Sequence, residues 1–345
     1  MNVGDYGVLS KFLKATWGIS SKKINEIKEG SAKCFAIETE NDKFFLKIYQ
    51  EKFDICTLEN EIFICDFLGK KRFSVSCFLK SKNRMYIEKF QDNLCTLQKY
   101  IDGTTFRKFE VPKMQLYDSV KVLANLNIAL EGLPIQLPIG FSQEWFSKWS
   151  VDSAIDKYKK MLVKLDVNDD NYNRISRDFE TKYKIIETFN SRLFDFSSLT
   201  VENTHGDYNV LQLIFDKNKV KAVIDFSSCA KLPVCWEIIR SYTLSSTECR
   251  RAIIDVNNFL SYVQEYMRIK KLERSDLELM PYFYLFTLMR SSFGYKSYIE
   301  KRHNDLLVNT KDKNALEFAF WRTNMCKWLF DNADCLSSKL KLLAK

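Results

Sequence analysis

The chain has 345 residues, 46% of them apolar and 28% charged, the balance of a globular protein long enough for two domains. No run approaches about 18 uncharged apolar residues, and residues 1–17 lack a basic segment followed by an apolar one, so a cytoplasmic protein with no membrane partner is expected. Ten scattered cysteines with no C-x-x-C pair, and only two histidines, argue against a disulfide scaffold or a zinc site; the net charge of +9 is interleaved with Glu, Asp and Asn rather than gathered into a nucleic-acid-binding block.

The first third reads as strand-rich. Residues 24–28, 34–38 and 43–48 are short β-prone runs separated by turn chemistry at 29–33 and 40–42, which predicts three antiparallel strands. Leu58, Ile62, Cys65 and Leu68 then recur at a helical period across 57–68. Strand-like runs return at 73–79, 85–90 and 94–101, with Asp92-Asn93 as the turn between the last two. After Gly103 the pattern is helical, over 112–130, 143–165, 172–193, 256–269 and 276–299. One β-prone island interrupts it, 210–215 and 219–225, turning at Asp216-Lys217-Asn218. The expected organisation is therefore α+β: a β-rich unit over residues 1–102 and a mainly helical one over 103–345. Cys34, Cys65, Cys77 and Cys229 fall in apparent core segments and read as reduced, packed thiols.

The segment with most chemical content is Thr204-His205-Gly206-Asp207-Tyr208-Asn209-Val210-Leu211-Gln212, followed closely by Val223-Ile224-Asp225-Phe226. Two carboxylates and an amide side chain flank one predicted hairpin. Phosphoryl transfer needs a carboxylate to orient the attacking hydroxyl, oxygen ligands for magnesium and cations on the phosphates. Read alone, His205-Gly206-Asp207 also fits a tight turn in which glycine and aspartate serve the backbone.

These residues resemble the H-G-D-x-x-x-x-N motif and the following DFG-equivalent strand of the aminoglycoside phosphotransferase, choline kinase and homoserine kinase superfamily. The resemblance runs from about Ile24 to Arg240 and implies a protein-kinase-like, two-lobed fold with a small antiparallel sheet lobe and a larger helical lobe. It implies a phosphotransferase using ATP and Mg2+ on a small hydroxylated acceptor, with Asp207 acting on the acceptor hydroxyl and Asp225 holding the metal. His205 would support the loop. Gln212 stands where the family has Asn as second metal ligand, and Asn209 sits at another offset. Lys47, in Phe45-Leu46-Lys47-Ile48, corresponds to the lysine that meets the α- and β-phosphates, with Glu61 as its helix partner and Glu59 as the alternative. Gly30 occupies the nucleotide-positioning loop, and main-chain groups near Lys99 and Ile101 would read adenine. Asn127 replaces a histidine of the family, and Glu237 replaces the aspartate that braces the catalytic loop. Those departures keep a second reading open, a kinase-fold scaffold like the spore-coat relatives of the superfamily. A nucleic-acid-binding reading rests on net charge alone.

Overall fold

A computed structural model describes residues 6–27, 32–49, 54–189 and 194–344. The chain starts with helix α1 (Tyr6–Trp17), then β1 (Lys23–Ile27), β2 (Lys33–Glu38), β3 (Lys43–Ile48), α2 (Ile55–Lys70), β4 (Phe78–Leu79), β5 (Ile87–Phe90) and β6 (Asn93–Lys99). All six strands form one antiparallel sheet in the order β1-β2-β3-β6-β4, with β5 also on β6. Side chains alternate across a strand, so Phe35, Ile37, Leu46, Ile48 and Leu97 face α1 and pack on Leu9 and Leu13. Lys47, between Leu46 and Ile48, points to the other face.

Three local readings shift here. The β5–β6 turn is Gln91-Asp92, one residue earlier than expected, and both have the positive φ (48° and 66°) that matches the twist of a two-residue hairpin. Of the run 73–79 only Phe78–Leu79 joins the sheet; Ser74 and Val75 instead pair with Val223, tying this segment to the helical part. Cys77 is exposed rather than core, because it sits in this irregular stretch; all ten cysteines are free thiols. Helix α2 begins at an Asp54 cap and contributes Ile64, Cys65 and Leu68 to the core of the helical part, not to the sheet core.

The rest comprises α3 (Lys113–Ala129), α4 (Gln143–Ser147), α5 (Val151–Leu162), α6 (Tyr172–Thr188), β7 (Val201–Thr204), β8 (Leu213–Asp216), β9 (Lys219–Val223), β10 (Ala230–Pro233), α7 (Val234–Ser245), α8 (Val256–Met267), α9 (Arg274–Arg290), α10 (Tyr295–His303) and α11 (Thr310–Lys341). The helix expected over 143–165 is broken because Ser150 caps α5 reciprocally with Ser153. The one expected over 276–299 breaks at Gly294. Its φ is 85°, and a Cβ there would lie 2.2 Å from the Ala315 carbonyl oxygen of α11. Helices α1, α7 and α11 and strands β7 and β10 are additions to the sequence reading. Gly103 lies where the chain crosses between the two parts: Thr104 and Phe215 exchange backbone bonds, and a Cβ on Gly103 would meet Phe215 O at 2.6 Å. Among the described residues no helix is long and apolar enough to cross a membrane.

Candidate active site

Two small antiparallel pairs, β7 with β10 and β8 with β9, fix a loop between them. His205 leaves β7 fully buried; its Nε2 donates to Ile224 O at 3.0 Å and its Nδ1 accepts from Asp207 N at 3.3 Å. Burial lowers its pKa, so the ring is a neutral strut that sets the position of Asp207. Gly206 has φ 79°, and a Cβ would fall 1.8 Å from Ser228 O, so no other residue fits this backbone. Its N–H donates to Glu237 Oε1 at 2.6 Å. Glu237 is wholly buried, and desolvation raises its carboxyl to about 7 against the opposing backbone N–H groups and Arg240. Asn209 is consumed inside the loop, accepting from Leu211 N and donating to Asp207 O, so its amide is not directed at a ligand.

Asp207 itself is held from both sides. Arg240 of α7 donates to Oδ1 at 2.5 Å, and Gln212 Nε2 donates to Oδ2 at 2.9 Å. A carboxylate has about four acceptor positions, so a substrate hydroxyl can still donate to it. The Gln212 amide oxygen accepts no hydrogen bond from the described protein, and Ile224 N donates to the Gln212 main-chain carbonyl at 3.0 Å, tying the Gln212 backbone to the residue before Asp225.

Asp225 stands in the left-handed region (φ 64°), an uncommon conformation for a non-glycine residue that re-aims its side chain. Its Oδ1 accepts from Lys47 Nζ at 3.0 Å and from Ser227 at 2.8 Å, leaving Oδ2 without a protein donor. Burial disfavours charge on both partners, yet Lys47 is raised, because Glu61, Tyr49 and Asp225 outweigh desolvation, and Asp225 is lowered, with Lys47 as the main opposing influence. Glu61 projects inward from α2 at 1% exposure, whereas Glu59 is exposed. Lys47 thus makes its direct ion pair with Asp225 and only a longer electrostatic one with Glu61. Desolvation lifts Glu61 to about 7 despite that lysine, and its Oε2 has no hydrogen-bond partner.

No cluster of three or more His, Cys, Asp or Glu side chains suited to a metal occurs among the described residues. The oxygens left without a donor among the described residues are Oδ2 of Asp225 and the amide oxygen of Gln212. That sparse oxygen set suits magnesium, which keeps several waters and takes remaining ligands from substrate phosphates.

At the edge of the sheet, Lys99 N is already used by Cys77 O at 2.9 Å, which removes that donor from the expected adenine contact; Ile101 N donates to no acceptor among the described residues. Gly30 lies outside the described residues. Asn127, on α3, is buried with neither amide atom partnered. The sequence reading did not single out Arg240, Lys108 or Arg322. Lys108 is pushed down to about 8 by burial and by Arg240, with Asp207 opposing and Arg322 adding to the shift.

The family model described as "Phosphotransferase enzyme family" matches residues 23–268. None of the curated protein sequences matches the chain. Among solved structures the fold is similar to spectinomycin phosphotransferase solved with ADP and spectinomycin (TM-score 0.62, 14% identity, 94% of this chain and 98% of that one). It is also similar to an amicoumacin kinase in complex with AMP-PNP and Ca2+ (TM-score 0.61, 10% identity, 93% of each chain). A microcompartment-associated aminopropanol kinase matches at TM-score 0.59 and 11% identity, over 97% of this chain and 99% of that one. At such identities the likeness establishes the fold: a small antiparallel sheet joined to a larger helical part.

Proposed function

The chain belongs to the phosphotransferase enzyme family, and we propose that it transfers the γ-phosphate of ATP to a hydroxyl of a small metabolite. The observation that carries this reading is the juxtaposition of Asp207, held by Arg240 and Gln212, with Asp225 and the Lys47 that pairs with it from a strand 178 residues away in sequence. Asp207 accepts the hydrogen bond of the acceptor hydroxyl and orients it for in-line attack. Lys47 sits on the α- and β-phosphates, exchanging part of its bond to Asp225 for phosphate oxygens. Asp225 and Gln212 would hold magnesium, and the chemistry it would supply there is charge neutralisation on the phosphates. Glu61 restrains the lysine, and Glu237 with His205 keeps the loop in shape. The free N–H of Ile101 and the carbonyl of Lys99 read adenine. The nucleotides in the structures of similar fold support an ATP site.

The test is Asp207→Asn, which keeps shape and removes charge. Nucleotide binding by calorimetry should survive, while ADP release stimulated by an acceptor falls by about two to four orders of magnitude. Unchanged turnover in this variant would transfer the protein to the scaffold reading.

A further inference from the structure

Several cations in the helical part are paired with carboxylates. Arg174 pairs with Glu317, Arg302 with Asp169, Lys301 with Asp312 and Lys341 with Glu278. The fully buried Lys182 gives hydrogen bonds to Tyr158 OH, Leu288 O and Ser291 O. Beside Asp207 the pattern is different. The side chains of Lys108, from the segment after Gly103, and Arg322, from α11, form no hydrogen bond or ion pair with the described residues. They share the face of Phe318, at 3.7 and 5.9 Å from its centroid. A ring face attracts a cation but leaves its charge uncancelled. Arg240 is the third cation; its Nη2 is on Asp207, and its buried Nη1 has no partner.

Three segments far apart in sequence thus meet here: Lys108 and Arg322 on the ring of Phe318, and Arg240 on Asp207, with Phe109 N bonded to Leu244 O one turn of α7 beyond Arg240. Burial and Arg240 lower the pKa of Lys108 against the opposing charge of Asp207, and burial is the main cause that lowers Arg322, with Arg240 adding to it and no carboxylate opposing. Partly buried like charges repel, and an unpaired buried guanidinium nitrogen is expensive. A ligand that brings negative charge relieves both.

We propose that the phosphate acceptor is an anion, a hydroxylated small molecule carrying a carboxylate or phosphate that Lys108, Arg240 and Arg322 receive while its hydroxyl lies against Asp207. This rests on the phosphotransfer reading above, and it sets the chain apart from a kinase for a cationic amino alcohol or amino sugar, which the same cluster repels.

Four probes on one three-carbon skeleton separate the possibilities: glycerate, glycerol 3-phosphate, glycerol and the cation serinol. Binding to the full chain with AMP-PNP and magnesium is measured by calorimetry, and phosphorylation by 31P NMR with ATP. At least one of the two anions should bind about tenfold or more tighter than serinol, and which anion wins identifies the group. Lys108→Ala with Arg322→Ala should weaken that anion about ten- to a hundredfold, the loss expected for charge-assisted hydrogen bonds. The single change Lys108→Glu, at a partly exposed site, should move preference toward serinol. The proposal is overturned if neither anion binds better than serinol, or if the preferred anion binds the double variant as tightly as the native chain. Anion binding that depends on Lys108 and Arg322, in a chain whose ATP turnover ignores Asp207→Asn, would uphold the anion site and remove the phosphotransfer reading.

Discussion

Glu237→Gln separates the charge of Glu237 from its shape. The carboxyl is fully buried, receives the Gly206 N–H at 2.6 Å, and has a folded-state pKa of about 7 against an ordinary 4.5, with burial as the main cause. The folded chain therefore keeps a proton that the unfolded chain releases. The corresponding stability is complete below about pH 4.5 and is lost as pH rises through about 7. With those two values the loss between pH 5 and pH 8 is about 2.5 kcal/mol. Glutamine keeps an oxygen for Gly206 but cannot ionise, so the variant lacks this slope, while Glu61, which titrates similarly, contributes equally to both proteins. Urea unfolding followed by tryptophan fluorescence at the two pH values gives the numbers. The stability of the variant relative to the native chain should rise by about 2.5 kcal/mol from pH 5 to pH 8. If the difference is the same at both pH values, the Glu237 carboxyl is not proton-bound in the fold and the account of the loop brace is wrong.

Gly206→Ala places a methyl 1.8 Å from Ser228 O at a positive φ, so it should destabilise the fold by about 3 kcal/mol or more and abolish turnover even at temperatures where the variant stays folded; a native-like melting curve with retained activity would refute the backbone argument. Lys47→Met removes the counter-cation of Asp225 and the neighbour of Glu61, with an expected loss of about 2 kcal/mol after allowing for the one-third exposure of Asp225. It should also raise KM for ATP, with turnover partly recovered at high ATP; an unchanged KM would dissociate Lys47 from the nucleotide. Gln212→Ala should raise the magnesium concentration needed for half-maximal turnover, while Gln212→Asn should stay close to native; equal magnesium dependence in all three proteins would limit Gln212 to its bond with Asp207.

The parts of the site legible in the sequence are those whose geometry is local. His205, Gly206, Asp207 and Gln212 lie within one loop, and Asp225 ends the hairpin that follows, so spacing along the chain nearly specifies spacing in the fold. Lys47 was legible for a similar reason, since alternation in β3 turns it away from Leu46 and Ile48. The helix breaks at Ser150 and Gly294 were hidden because the apolar period continues through both, and only a reciprocal cap or an approach to another helix ends the turn. Strands β7 and β10 were hidden because four residues carry too little pattern to stand out, although they hold the loop that matters most. The bond of Arg240 to Asp207 spans 33 residues, and Lys108 meets Arg322 only because the segment after Gly103 and the long helix α11 pack through Phe109 and Phe318 onto Trp321. Each of these cations is unremarkable in its own stretch of sequence, where lysine or arginine on a helix or in a linker reads as solvated surface. Their significance comes from the missing carboxylates around them, a property of the packed molecule. In this chain the groups proposed to move the phosphate are thus encoded by a local motif, whereas the groups proposed to choose what receives it are encoded by tertiary packing.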